Sequence, residues 1–213
     1  MLINHLDLPS SAPDDWIPYL KKTKDACEPR ETLKIGLEYL KKQNVIGLAV
    51  DLGAGTGRDT LYLLKNHWRV LAVDYSQQAI DILLSRVNKQ KLAKPMVQIV
   101  DISQATLPKS IDLLNASYSL PFIKPANFPD VWQNLVKRIR PGRLFTGSFF
   151  GPKDDYAHAK NITILNKSQI HNLFTGFEIL YIHENKEYAV DSTGVKKQWD
   201  IWNVVAVKKT KSN

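Results

Sequence analysis

The 213-residue chain predicts an α/β domain with a mostly parallel sheet of seven strands, helices on both faces and an antiparallel hairpin at the C-terminal end. Three observations carry that prediction. Short, nearly unbroken apolar runs alternate with stretches of helical periodicity, and a glycine cluster stands where the first run ends. After Gly151 the alternation gives way to two strand-like segments joined by a polar link.

The elements follow in order. Leu33, Leu37 and Leu40 mark a helix ahead of the first strand. Residues 45–52 are almost wholly apolar, as a strand buried on both faces requires. Gly53, Gly55 and Gly57 break that run, a short helical stretch follows, and a second strand is predicted over 70–73. Ile80, Leu83, Leu84 and Val87 then recur at i, i+3, i+4 and i+7, one face of a helix. Strands are expected near 97–100 and 111–114, and Phe128, Val131, Trp132, Leu135, Val136 and Ile139 give the next helix its apolar side. Pro141 and Gly142 are expected to stop that helix before a fifth strand over 143–150. Asn166 and Gln169 have capping-box spacing for a further helix. Strands near 177–183 and 198–207, linked through polar residues around Asp191 to Gly194, complete the hairpin.

With 44% apolar and 23% charged residues the chain can bury one full core, so a single domain over 1–213 is expected. Cys27 is the only cysteine, which excludes an internal disulfide and points to a reducing compartment, hence the cytoplasm. Residues 1–15 carry no Lys or Arg and do not read as a secretory signal, and no apolar run reaches the roughly 18 residues of a membrane span. The net charge of +8 has two readings. Its lysines fall in short separate clusters (21, 22 and 24; 41 and 42; 89, 91 and 94; 208, 209 and 211), as expected of solvated helix ends. The alternative is a functional basic face that gathers anions.

The sharpest feature is Asp51-Leu52-Gly53-Ala54-Gly55-Thr56-Gly57, where a buried strand gives way to a helix. Glycines there let the backbone turn tightly and approach a ligand without an intervening Cβ, beside a helix N-terminus with free N–H groups. By itself such a turn also fits a ligand-free loop. Asp74 closes the second strand about 20 residues on, where a carboxylate can accept both hydroxyls of an adenosine ribose. Nicotinamide dinucleotides share this acid and remain a competing cofactor. Three details favour S-adenosylmethionine: the spacing G-x-G-x-G in place of G-x-G-x-x-G, the acid Asp51 before the glycines, and a further acid, Asp101, followed by Ile102 at the end of the third strand.

On these residues the chain resembles class I S-adenosylmethionine-dependent methyltransferases over most of its length, with the resemblance sharpest before Gly151. It implies a Rossmann-like sheet. It also implies that Gly53, Ala54, Gly55 and Gly57 lie along the methionine part of the cofactor. Asp74 takes the ribose with Tyr75 beside it, and Asp101 and Ile102 frame the adenine. Asn115, Ala116 and Tyr118, in the segment after the fourth strand, pass beneath the cofactor and face the transferring methyl, and Asp51 helps hold the amino group directly or through water. The resemblance divides the domain into an N-terminal arm or lid (1–30), a cofactor-binding core (31–150) and a part that completes the sheet and the acceptor site (151–213).

Three segments resemble more closely a bacterial group of small methyltransferases related to the tellurite-resistance and thiopurine types. They are the run from Asn115 through Ser119 to Phe122, the run Ser148-Phe149-Phe150-Gly151-Pro152-Lys153-Asp154, and Lys197-Gln198-Trp199. The chain departs from that group with Tyr156 where a tryptophan is common, and with Asp200 and Asn203 in the last strand. Asn115 is followed by Ala-Ser-Tyr rather than the Pro-Pro-aromatic of amino-nucleobase methyltransferases, which argues against methylation of adenine or cytosine amines.

Several other side chains are candidates. Trp16, Tyr19 and Arg30 can form a lid that excludes water, with Arg30 suited to a carboxylate; alternatively the aromatics only pin the arm. Catalytic candidates are Tyr118, His158 and Arg30. His67, His171 and His183 are scattered and, with one cysteine, give no metal-ligand spacing, so no metal site is expected. Trp199 and Trp202 fall on opposite faces of a strand and read as core. A sulfonium methyl is already activated, so no general base is required, and an anionic small-molecule acceptor would suit the basic balance of the chain. The alternatives are an RNA or protein methyltransferase and a non-catalytic cofactor-binding protein.

Overall fold

A computed structural model describes residues 16–191 and 195–210. Helix α1 (Ile17–Thr23) and helix α2 (Glu31–Lys42) precede strand β1 (Leu48–Leu52). Then come α3 (Arg58–Lys65), β2 (Arg69–Asp74), α4 (Gln77–Lys89), β3 (Met96–Ile99), β4 (Ile111–Ala116), α5 (Phe128–Val136) and β5 (Ile139–Phe150). Helix α6 (Lys167–Leu173), β6 (Phe177–Val190) and β7 (Lys196–Lys208) complete the described chain.

The seven strands form one sheet in the order β3-β2-β1-β4-β5-β7-β6. Strands β1 to β5 pair in parallel, and β7 enters antiparallel between β5 and β6. This is a Rossmann-like sheet, with the C-terminal hairpin where the sequence places it. Alternate residues of the central strands feed two cores, as the two-residue period of a strand demands. Val50, Leu71, Leu114, Phe145 and Phe149 pack with Phe128 and Trp132 of α5 and Ile170 of α6. Their neighbours Ala49, Ala72, Leu113 and Leu144 pack with Leu33, Leu37 and Leu40 of α2, Leu61 of α3 and Leu83 of α4. Helices therefore cover both faces.

Local chemistry sets the element ends. Ser76 caps α4 by accepting from the N–H of Ala79, and Asn166 and Gln169 form the expected capping box of α6. The structure moves other boundaries. The first strand begins at Leu48, not at residue 45, because the N–H of Val45 closes the end of α2 by donating to the carbonyl of Leu40. Helix α5 stops at Val136, and Ile139 is the first residue of β5, which continues through Pro141 and Gly142 as an irregularity in its pairing with β4. Asn115 and Ala116 are the last two residues of β4, paired with Thr146 and Gly147 of β5, so they do not lie after the strand. Strand β6 extends well past its expected end, β7 matches its expected limits to within two residues, and within the arm Ile17–Thr23 is helical. Residues 1–15 of the expected arm and 192–194 of the expected link lie outside the described residues.

Candidate functional site

Strand β1 has β2 on one side and β4 on the other, so the chain order reverses about its carboxyl end. That crevice is where open α/β sheets take ligands. The glycine turn sits in it: the N–H groups of Gly53 and Ala54 donate to the carbonyl of Val73, and Gly53, Gly55 and Gly57 all have positive φ. Two of these glycines are needed for different reasons. A Cβ on Gly57 would stand 2.2 Å from Leu83 Cδ1, so packing of α4 excludes one. A Cβ on Gly55 would meet nothing nearer than 4.0 Å, so Gly55, at φ +52°, faces open space.

The acids expected around that turn are arranged on it. Asp74 is buried and accepts from the N–H of Gly55 through Oδ2 at 2.8 Å and from the N–H of Ser76 through Oδ1 at 2.9 Å; burial raises its pKa. Tyr75 follows it, half-buried. Asp101 is exposed and caps the 3-10 turn Ile102–Gln104 by accepting from the N–H of Ser103, while Ile102 leans on the core.

Beneath the turn lies a buried polar cluster. Asn115 Nδ2 donates to Asp51 Oδ1 at 2.8 Å and to Asp59 Oδ2 at 3.0 Å, while its Oδ1 accepts from the hydroxyl of Thr146 at 2.8 Å. Thr60 donates its hydroxyl to the second oxygen of Asp51. Burial, with the adjacent Asp59 charge, pushes Asp51 up to about 7. Both oxygens of Asp51 are thus engaged by side chains, and each retains a second lone pair.

Past β4, Tyr118 is held at φ +57° with its ring under the guanidinium of Arg30, Cζ 4.3 Å from the ring centroid. Burial raises the Tyr118 pKa against the opposing effect of Arg30, so the phenol stays protonated at neutral pH. Arg30 precedes α2 and donates its N–H to Asp59 Oδ1 at 2.9 Å. Arg30 and Tyr118 line a cleft of about 390 Å³ whose far wall includes Tyr181, His183 and Asn203 of the β6–β7 hairpin.

The arm is tied to this site. Trp16 packs edge-on against Phe122 at 5.0 Å and against Tyr19 at 5.6 Å. Thr56 of the glycine turn donates to the carbonyl of Thr23, and Arg86 donates to the carbonyls of both Thr56 and Ala26.

Not every candidate reaches the cleft. His158 is exposed at the end of the 3-10 turn Asp155–His158 and does not line it, nor do His67 and His171. His183, singled out less, does line it. Trp202 is core, as expected, while Trp199 packs on Tyr156 on the other face. Sequence reasoning missed Asp59, whose only signal is its place in the first turn after the glycines. It named Lys197 only within a family-like segment and missed its environment: the side chain is fully buried, paired with Asp154 and boxed by Tyr156 and Trp199 at 3.4 and 3.8 Å from their ring centroids. Among the described residues no cluster of His, Cys, Asp and Glu could hold a metal, and no helix is long and apolar enough to cross a membrane.

Residues 49–142 match a family model described as a methyltransferase domain. The malonyl-[acyl-carrier protein] O-methyltransferase of Xylella fastidiosa (strain M23) is 29% identical over 128 residues, 59% of this chain and 42% of that protein. The magnesium-protoporphyrin O-methyltransferase of Rhodobacter capsulatus is 29% identical over 120 residues, 56% of this chain and 53% of that one. The chain thus spans about half the length of these relatives or less. Among solved structures, TehB from Haemophilus influenzae superposes with a TM-score of 0.70 at 20% identity, covering 83% of this chain and 62% of that one. N-methyltransferase NodS from Bradyrhizobium japonicum WM9, in complex with S-adenosyl-l-homocysteine, gives 0.65 at 16% identity over 91% and 99% of the two chains. At these identities the superpositions establish the fold.

Proposed function

We propose, from the premise that this chain carries a methyltransferase domain, that it transfers a methyl group from S-adenosylmethionine to a small-molecule acceptor seated in the cleft beside Tyr118. The observation that carries the reading is the open approach at Gly55, whose N–H donates to the acid Asp74 at the crevice where the strand order reverses.

The residues present fit the cofactor. Ser119 Oγ is buried without a hydrogen-bond partner beside Gly53, a polar atom suited to a ligand. Asp74, with Tyr75 next to it, would take the ribose; Asp101 and Ile102 would frame the adenine; Gly53, Ala54, Gly55 and Gly57 would line the methionine part. Asp51 would hold the amino group through a water or its own free lone pairs, positioned by Asn115. Bound there, S-adenosylmethionine supplies an activated methyl on a sulfonium. The chain's own work is positional. Ala116 and Tyr118 floor the methyl, Arg30 and Tyr118 orient the acceptor, and the arm with Trp16 and Tyr19 excludes water. Such alignment is worth about 7–11 kcal/mol of barrier. Tyr118, kept protonated by burial, serves as a hydrogen-bond donor rather than a base.

The small, walled cleft favours a metabolite over RNA or protein, and the lone Cys27, an exposed free thiol, supports a cytoplasmic setting. We read 1–213 as one domain. The test is S-adenosylhomocysteine formation from S-adenosylmethionine with cell extract split into small-molecule, RNA and protein fractions. Turnover confined to the small-molecule fraction supports the reading, and turnover only with RNA or protein overturns it.

A further inference from the structure

The end of the cleft lined by the first turns of α2 and α3, next to the glycine turn, has the chemistry of an anion site. Helix α2, 12 residues long, opens with Arg30 in an extended conformation and no side chain capping it, which leaves first-turn N–H groups free to receive negative charge. Thr32, in that first turn, lines the cleft and is 2% exposed, and its hydroxyl has no hydrogen-bond partner. A buried hydroxyl in that state is what a bound oxygen would satisfy.

Positive charge converges on the same place. Arg58 lines the cleft half-buried, and its guanidinium forms no ion pair or hydrogen bond among the described residues. Burial and the nearby Arg30 both lower its pKa, and Asp59, the carboxylate that opposes them, already accepts from the N–H of Arg30 and the amide of Asn115, so a full counter-charge is missing. The carboxylates on the rim do not supply it: Glu28 and Glu31 sit 3.7 and 3.8 Å from Lys34. On the far wall Asn203 Oδ1 accepts from the hydroxyl of Ser148 at 3.0 Å, which leaves its amide nitrogen as a donor beside His183.

We propose that this end of the cleft binds a carboxylate or similar oxyanion of the methyl acceptor, with Arg58 and Thr32 as the residues that select for it. The inference rests on the cleft being the acceptor site of a methyltransferase. A planar guanidinium matches a carboxylate in two parallel hydrogen bonds, the Thr32 hydroxyl and the α2 N-terminus complete the oxygen shell, and an uncharged analogue would leave two cations unpaired.

The test uses the full chain saturated with S-adenosylhomocysteine and titrated with benzoate, benzamide and inorganic phosphate. Benzoate is expected to bind at least tenfold more tightly than benzamide without displacing the sulfur nucleotide. R58Q and T32V are each expected to weaken benzoate at least fivefold and to change S-adenosylhomocysteine affinity less than twofold, which also reports that they fold. Equal binding of benzoate and benzamide, or of benzoate to the wild type and both variants, overturns the proposal. So does a tenfold loss of S-adenosylhomocysteine affinity in R58Q, which would assign the cations to the cofactor's own carboxylate. If the wild type binds no sulfur nucleotide, the methyltransferase reading fails, and the same benzoate series on the free protein still decides whether the anion site exists.

Discussion

Asp51 and Asp59 are held together by a single amide: Nδ2 of Asn115 stands 2.8 Å from an oxygen of the first and 3.0 Å from an oxygen of the second. Two buried carboxylates this close repel, and the shared donor is what lets the end of β1 and the start of α3 meet under the glycine turn. Asn115→Ala should therefore destabilise the protein by about 3 kcal/mol, the cost of leaving buried charge without its donor. Urea melts measure the loss, and D51N in the same background should recover part of it.

The same pair makes stability depend on pH. Burial and Asp59 raise Asp51 to about 7, whereas an unfolded aspartate titrates near 4. Between roughly 4 and 7 the folded state holds the extra proton, so this contribution is complete below about 4 and is lost as pH rises to about 7. The loss should be on the order of 2–4 kcal/mol. Melts at several pH values should show the decline in the wild type and a flatter profile in D51N.

At Gly55 fold and function separate. Alanine there costs about 1–2 kcal/mol for a left-handed φ but meets no neighbour, so G55A should fold and yet lose at least tenfold in S-adenosylhomocysteine affinity. G57A, which drives a methyl into Leu83, should lose stability first. Thermal melts alongside titration distinguish the two.

Lys197 and Asp154 form a buried pair between β7 and the loop after β5. Removing one partner, as in K197A, should cost about 3–5 kcal/mol because the other charge stays buried. K197M with D154N removes both charges and keeps only one of the two backbone hydrogen bonds that Asp154 accepts from Tyr156 and Asp200, so it should still cost less than K197A. Denaturation of both variants checks the difference.

The central parallel sheet and the glycine turn were legible in the sequence because buried strands there are continuous apolar runs and because only glycine tolerates the turn. Asn115 hid the true end of β4, since a polar residue in a strand looks like its boundary until Asp51, Asp59 and Thr146 are seen to satisfy it. Ile139 continued the helical spacing of α5 by chance, and only the pairing of β4 with β5 shows it to be strand. The outer half of β6 alternates weakly because much of it is an exposed sheet edge. Lys197 entered the sequence reading only as part of a family-like segment; its burial depends on an acid 43 positions away, which no local pattern reveals.

Calorimetric titration of the protein with S-adenosylmethionine, S-adenosylhomocysteine and NAD tests the central claim most directly. Micromolar binding of both sulfur nucleotides with none for NAD is the expected result. Binding of NAD alone, or of none of the three, would contradict it and leave the turn at Gly53, Gly55 and Gly57 without the role assigned to it.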